Sequence, residues 1–183
     1  MWSDDAASVL TGLARAAIAG KLGLPGPEVA QSSWLDEPGA SFVTLTIDGG
    51  LRGCIGSLTA WRHLGADVRA NAVSAAFHDP RFQPLSKPEF AKVAIEVSVL
   101  TQAEPMAFTS RDDLLRQLRP GVDGLILSAL GRRGTFLPQV WEELPTPASF
   151  VDHLLRKAGL PSSYWGPDVR VERYTVTAFH EAS

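Results

Sequence analysis

Cysteine is nearly absent from this sequence, because Cys54 is the only one in 183 residues. One thiol cannot close an intrachain disulfide, and the four histidines do not combine with it at the spacing of a zinc site. We therefore expect no structural disulfide and no metal site. Nothing else in the sequence indicates a bound cofactor.

Long apolar runs and an excess of positive charge are also missing. No stretch approaches the roughly 20 apolar residues that span a bilayer, and the N-terminus lacks the basic start and apolar run of a signal peptide. Seventeen basic and twenty acidic residues give a net charge of −3, which excludes a broadly basic surface for duplex DNA. We predict a cytoplasmic protein that binds neither DNA nor a membrane.

Two common catalytic or cofactor motifs are absent as well. Gly53 and Gly56 are not followed by the third glycine and helix of a dinucleotide fingerprint, and no Gly-x-Ser-x-Gly elbow occurs. Hydrophobic residues make up 45% of the chain and charged residues 20%, as in an ordinary globular protein. We predict a single domain over residues 1–183.

Hydrophobic periodicity predicts several helices. Ser3 is placed to cap the first, and Gly23 with Pro25 to end it. Ser110 is placed to cap a later one, and Pro147 to open the last. The predicted helices are residues 3–22, a helix within 59–78, one after Ser110, a short one at 138–143 and one from Thr146 to Gly159.

Alternating apolar residues predict strands, and Asp48-Gly49-Gly50 predicts the turn of a hairpin. A second hairpin turn is predicted around Gly131-Arg132-Arg133-Gly134. Hairpins joined to helices favour an α+β fold with a largely antiparallel sheet and flanking helices. The predicted strands are residues 42–47, 51–56, 93–100, 124–129, 135–137 and one last strand between Val169 and Phe179.

The strongest candidate for chemistry is Leu51-Arg52-Gly53-Cys54-Ile55-Gly56. A thiol reacts as its thiolate, which a nearby guanidinium favours. On a regular strand Arg52 and Cys54 share one face, and the glycines allow a ligand or an oxyanion to approach the backbone. The alternative is a buried cysteine that fills a small volume beside glycines needed for packing.

Two other residues are candidates for moving protons. His78 stands at the predicted end of a helix, where the dipole favours an imidazolium; the alternative is an ordinary surface helix end. Glu96 interrupts an apolar strand and is a candidate acid or base; the alternative is the solvent-facing residue that strand alternation itself predicts.

The hexapeptide resembles the signature of the AMMECR domain family. The resemblance continues in order through Asp79-Pro80-Arg81-Phe82, Ile95-Glu96-Val97-Ser98-Val99-Leu100, Thr135-Phe136-Leu137-Pro138-Gln139-Val140 and Lys157-Ala158-Gly159-Leu160. It covers roughly residues 8–181. It implies an α+β fold of a larger and a smaller lobe, with the cysteine motif near the cleft between them.

The resemblance also implies an association with Memo-type proteins, which resemble metal-dependent dioxygenases, and with radical SAM proteins. Through that association it implies a role in modifying RNA or a small molecule. Relatives often carry a second cysteine just before the lysine of the Lys-Ala-Gly-Leu motif, where this chain has Leu155-Arg156. We therefore do not expect a two-thiol site.

Three functions remain open from the sequence. In the first, an enzyme or enzyme subunit uses Cys54 as nucleophile, with Arg52 as its activating cation and Glu96 or His78 moving protons. In the second, a non-catalytic protein binds a substrate or partner through Arg52, Gly53, Gly56 and Arg81. The third is RNA binding through four arginines, which the acidic net charge disfavours: Arg52, Arg81, Arg132 and Arg133.

Overall fold

The computed structural model describes residues 2–182, which form two compact units. The first unit extends to Leu100 and also includes the segment from Thr177 onward, and the second comprises Thr101–Val176. Each unit contains one four-stranded sheet and its own helices. The predicted α+β class, with largely antiparallel pairing and flanking helices, is confirmed, although the strands form two sheets rather than one.

The first sheet has the strand order β2-β1-β3-β8, and β1 pairs antiparallel with both β2 and β3. Alternation places one set of side chains against the helices and the other set on the outer face. Val43 and Leu45 on β1, and Val97 on β3, are fully buried on the inner face. The strands are β1 (Ala40–Ile47), β2 (Gly50–Gly56), β3 (Ala94–Leu100) and β8 (Val176–His180).

The β1–β2 hairpin contains both the predicted turn and an irregularity that alternation does not predict. Asp48 and Gly49 have φ values of 51° and 77°, which the two central residues of a tight hairpin turn require. The register shifts between Leu45 and Thr46, so that Arg52 is an extra residue on β2. On a regular strand, Leu51 and Gly53 would point to the same face. Because of the extra residue, Leu51 does not share the inner face with Gly53, and its side chain is exposed.

The first helix, α1 (Ala6–Leu22), covers part of the inner face with one apolar stripe. Gly23 ends it at φ 69°, and the amides of Gly23 and Leu24 bond to carbonyls of the last turn. The predicted cap by Ser3 is wrong: Asp5 is the cap residue, and the Ser3 hydroxyl donates to the Asp5 carboxylate instead.

The second helix, α2 (Leu64–Phe77), lies within the predicted segment 59–78. Its buried Asp67 accepts hydrogen bonds from the amide and hydroxyl of Ser41 and pairs with Arg62. Asn71, one turn further, donates to the same carboxylate and to the Ser41 carbonyl. This satisfied polar network fixes α2 to β1. A short helix, α3 (Lys87–Phe90), precedes β3.

The second unit has the sheet order β4-β7-β5-β6 and two helices, α4 and α5, around a separate apolar core. Ser110 caps α4 by accepting from a backbone amide, as predicted, and Thr146 caps α5 in the same way just before the predicted opening residue Pro147. Trp141 stacks on Phe150 in this core, with ring centroids 3.9 Å apart. The elements are β4 (Glu104–Pro105), α4 (Arg111–Gln117), β5 (Gly124–Ala129), β6 (Arg132–Phe136), α5 (Pro147–Lys157) and β7 (Arg170–Tyr174).

Two predictions in the C-terminal half need correction. The single last strand is two strands, β7 and β8, in different sheets, because one run of alternating residues carries no information about which sheet it joins. Arg132 and Arg133 lie on β6 rather than in the turn, which consists of Leu130 and Gly131, both at positive φ. No helix within residues 2–182 is long and apolar enough to cross a membrane.

Candidate functional site

Cys54 lies in a row of polar residues across the outer face of the first sheet. Thr44 on β1 is paired with Cys54 on β2 and with Glu96 on β3. Directly paired residues of antiparallel strands point to the same face, so the three side chains form one line across three strands. The Thr44 hydroxyl lies 3.3 Å from the Cys54 sulfur, and all three residues are half-buried.

A histidine that the sequence did not single out extends this row. His180 at the end of β8 lies with Nδ1 3.3 Å from a carboxylate oxygen of Glu96. Ser98 donates a hydrogen bond to the other oxygen of Glu96. Glu96 is therefore an acceptor held in place on the outer face, and its imidazole partner is exposed to solvent.

The backbone of Cys54 is held by Asp79, from the segment that follows α2. The Asp79 carboxylate accepts the Cys54 amide hydrogen at 3.0 Å and is itself nearly fully buried. Arg81 donates to both oxygens of this carboxylate, at 3.0 and 2.7 Å. These hydrogen bonds outweigh the burial that opposes them and hold the pKa of Asp79 well below its usual range, while the same pair raises the pKa of Arg81.

Arg52 forms an ion pair with Glu89, a residue of the segment before β3. Its guanidinium donates to both oxygens of Glu89 and to the carbonyl of Gln83. The bidentate contact lowers the pKa of Glu89 to about 2, with hydrogen bonds from Ser86 adding to the effect. Arg52 Nη1 is buried without a hydrogen-bond partner among the described residues. The recorded contacts of Arg52 thus tie β2 to the segment before β3, and none is to the thiol.

Phe82 lies beside both arginines of the motif region. The guanidinium carbons of Arg52 and Arg81 are each 5.5 Å from the centre of its ring, within the range of a cation–π contact. Phe82 and the two ion pairs hold residues 79–89 along the edge strand β2. We call this segment the strap.

Close packing explains why both glycines of the hexapeptide lack a side chain. A Cβ at Gly53 would fall on the carbonyl oxygen of Ala75 in α2, so β2 and α2 meet backbone to backbone. A Cβ at Gly56 would fall on the ring of Phe42, its cross-strand partner. An aromatic ring over a strand glycine shields exposed backbone in this way. These contacts account for both glycines without any ligand.

His78 is exposed at the C-cap of α2, and no recorded contact joins it to Cys54 or Glu96. The site residues predicted from the sequence therefore separate into two groups. Cys54 and Glu96 share the outer-face row, whereas Arg52 and Arg81 are each paired with a carboxylate in the strap. Across residues 2–182, no three histidine, cysteine, aspartate or glutamate side chains are grouped as metal ligands.

Sequence reasoning missed Thr44, Asp79 as an acceptor, and His180. A threonine inside an alternating strand is ordinary, and only the register places Thr44 beside the thiol. In the sequence, Asp79 was considered only as part of the Asp79-Pro80-Arg81-Phe82 motif, which assigns no partner to its carboxylate. His180 gave no signal, because 84 residues of separation between two chain positions say nothing about adjacency in a sheet. The row offers a thiol, a hydroxyl and a carboxylate–imidazole pair, the groups of nucleophilic and acid–base chemistry.

Comparison with known proteins gives a consistent picture. The family model described as AMMECR1 matches residues 11–179. A protein of Methanothermobacter thermautotrophicus is 42% identical over 142 residues, which cover 76% of this chain and 74% of that protein. A protein of Saccharolobus islandicus is 38% identical over 158 residues, with 80% and 68% covered.

A solved structure is similar over nearly the whole chain. The crystal structure of uncharacterized protein PH0010 from Pyrococcus horikoshii superimposes with a TM-score of 0.83 at 33% sequence identity. The match covers 98% of this chain and 93% of that one. The family match includes Thr44, Cys54, Glu96 and the strap, and it ends one residue before His180.

Proposed function

The chain belongs to the AMMECR1 family, and from that premise we propose that the outer-face row of its first sheet is a reaction site with Cys54 as nucleophile. The observation that carries the proposal is the 3.3 Å contact between the Thr44 hydroxyl and the Cys54 sulfur. Either group can be the donor in this contact, so the hydroxyl is placed to donate to the sulfur when Cys54 reacts as its thiolate. Glu96 and His180 lie further along the row and are the groups that would move protons.

The proposed reaction belongs to an enzyme, or an enzyme subunit, in a pathway with Memo-type and radical SAM proteins. Its substrate class is RNA or a small molecule. Family resemblance alone supports the pathway and the substrate class. The geometry of the row supports the chemistry, because a thiol, a hydroxyl and a carboxylate–imidazole pair share one face of the sheet.

The rate at which iodoacetamide alkylates Cys54 tests the nucleophile. We expect the native thiol to react at neutral pH at least about tenfold faster than the same thiol in the chain unfolded by guanidinium chloride, since a functional thiol is activated by its surroundings. Peptide mass spectrometry gives both rates from one cysteine, without background. A native rate equal to or below the unfolded rate would contradict the proposal.

A second function is favoured by a specific observation. Arg52 and Arg81 are both paired with carboxylates, so neither is a free cation beside the thiol. In this alternative, the outer face binds a substrate or partner without turnover, and Cys54 contributes shape. It differs from the binding role expected from the sequence, in which Arg52 and Arg81 contact the ligand. The Cys54→Ser variant separates the two. Loss of activity in the reconstituted pathway with partner binding retained supports the nucleophile, whereas full activity supports the binding role.

A further inference from the structure

The second unit contains an open groove that includes none of the candidate site residues discussed above. Its volume is about 860 Å³, within the range of roughly 300–1,000 Å³ typical of small-molecule sites. Residues 105–111 form one side and the sheet forms another. Trp165, Ser128, Arg170 and Glu172 are among the residues that line it.

Two arginines flank a serine at this part of the sheet. Ser128 on β5 is paired with Arg133 on β6 and with Arg170 on β7. The three side chains therefore share one face, with neighbouring Cβ atoms about 5 Å apart. Ser128 and Arg170 line the groove itself, and Arg133 lies beside it on the adjacent strand. Arginine forks and a hydroxyl are the groups that proteins use to hold phosphate.

The two arginines have acidic neighbours but no direct partner in the described part of the chain. Asp168 and Glu172 both lie near Arg170. The pKa of Asp168 is lowered by hydrogen bonds from the Tyr164 hydroxyl and the Leu130 amide and, less strongly, by the charge of Arg170. Arg133 and Arg170 have no ion pair or side-chain hydrogen bond within residues 2–182. This contrasts with Arg52 and Arg81, whose guanidinium groups are both occupied. Two unpaired like charges on one face are stabilised by a bound anion.

An aromatic wall completes the groove. Trp165 packs against Phe108 with ring centroids 5.7 Å apart. The guanidinium carbon of Arg111 is also 5.7 Å from the Trp165 ring. Arg111 is itself held by Asp152 and by the carbonyl of Ser162, so the indole has fixed neighbours. A held indole is a stacking surface for a planar base.

We propose that this groove binds a nucleoside phosphate, with the phosphate on Ser128, Arg133 and Arg170 and the base on Trp165. Glu172 is two residues from Arg170 on the same strand and lines the same groove. Its carboxylate accepts hydrogen bonds from sugar hydroxyls. The site is separate from the Cys54 row in both residues and chemistry.

Calorimetric titration of the full chain at low salt, with AMP, adenosine and inorganic phosphate as separate probes, tests the proposal. AMP should bind more tightly than either other probe, because only AMP occupies both the arginine pair and the indole. Adenosine binding as tightly as AMP would overturn the phosphate assignment. Absence of AMP binding at millimolar concentration would overturn the site.

Three arginine variants test the position of the phosphate. Arg133→Ala and Arg170→Ala should each weaken AMP binding by about tenfold, the typical cost of a lost charge-assisted contact. Arg132→Ala is the matched control, since it removes the same charge from the same hairpin, but its side chain lies against Gly159. Equal weakening in all three variants would mean general charge attraction and would overturn the site.

Trp165→Leu tests the base. It should weaken AMP binding while leaving the affinity for inorganic phosphate unchanged, with circular dichroism confirming the fold. Equal effects on both probes would contradict the stacking role. An RNA oligonucleotide that binds when AMP does not would identify a polymer-backbone surface in place of this site. Cys54→Ser should bind AMP as the wild type does.

Discussion

Asp79 accepts the backbone amide hydrogen of Cys54 at 3.0 Å, and it does so as a nearly fully buried carboxylate. This amide lies on the side of β2 that faces away from β1. Because β2 is the edge of its sheet, such an amide has no strand partner. Asp79 supplies one, and Arg81 neutralises the charge that burial makes costly. The position of the candidate nucleophile therefore depends on a residue 25 positions later.

Asp79→Asn should lower the free energy of unfolding by about 1–3 kcal/mol at neutral pH, because the charged acceptor for Arg81 and Cys54 is lost. The pKa of Asp79 is lowered in the fold, so the contribution of its carboxylate is complete above the ordinary value of 3.8 and is lost as pH falls below it. Urea unfolding of both proteins from pH 7 to pH 2.5 should show the difference shrinking with acid.

The exposed Asp4 gives the control for this prediction. Asp4→Asn should leave the free energy of unfolding unchanged within about 0.5 kcal/mol at every pH. A difference between wild type and Asp79→Asn that grows as the pH falls would contradict the role assigned to the carboxylate.

Thr44→Val should slow alkylation of Cys54 at neutral pH by about two- to tenfold, the equivalent of one lost hydrogen bond. The substitution keeps the shape and removes only the hydroxyl that lies beside the sulfur. Mass spectrometry of the alkylated peptide measures the rate. Thr46→Val is the matched control, because Thr46 lies on the same strand and face but is paired with Leu51 and Ala94. Equal rates in the two variants would show that the Thr44 hydroxyl does not act on the thiol.

Gly53→Ala should destabilise the protein by about 3 kcal/mol or more, because its Cβ would overlap the Ala75 carbonyl oxygen and neither backbone can move alone. Gly20→Ala is the opposite case: Gly20 is in α1, and a Cβ there meets nothing within 4 Å. That substitution should stabilise by about 0.5–1 kcal/mol. Thermal unfolding of the pair measures both effects. A neutral Gly53→Ala would mean that β2 and α2 are not in backbone contact.

Glu89→Gln should lower the free energy of unfolding by about 1 kcal/mol, since Arg52 is buried and loses a charged partner, while partial exposure of Glu89 weakens the effect. The lowered pKa sets the pH dependence: the difference from wild type is constant above about pH 5 and disappears as the pH falls toward 2. Glu37→Gln, at an exposed position, should show no such dependence. Acid-insensitive destabilisation in Glu89→Gln would exclude the ion pair as the cause.

Much of the fold was predictable because its signals are local. The stripe of α1, the glycine that ends it, the caps at Ser110 and Thr146 and the Asp48-Gly49 turn each depend on residues close together in the chain. Interactions of this kind depend mainly on neighbouring residues, so a short segment of sequence is enough to indicate them. The division of the strands between two sheets was not predictable, because β7 and β8 are nearly continuous in sequence and differ only in their distant partners.

The candidate site was predictable in part. A lone thiol beside an arginine and two glycines directed attention to β2, and alternation on β3 placed Glu96 on the outer face. Arg52 was expected beside the thiol, but its observed contacts are elsewhere. Its long, flexible side chain pairs with Glu89, which tertiary folding brings within reach. His180 and Asp79 belong to the site because tertiary folding brings them next to Glu96 and the Cys54 amide. No local sequence pattern indicates either contact.

The sequence by itself determined the elements, the α+β class and the strand that carries the thiol. Tertiary structure decided which face Cys54 occupies. The Asp48-Gly49 turn, continued without interruption, would pair Cys54 with Val43 and place it in the core, because directly paired residues share a face. The extra residue at Arg52 shifts the register by one and pairs Cys54 with Thr44. The bulge is accompanied by two long-range contacts: Gly53 packs against the Ala75 carbonyl, and Arg52 pairs with Glu89.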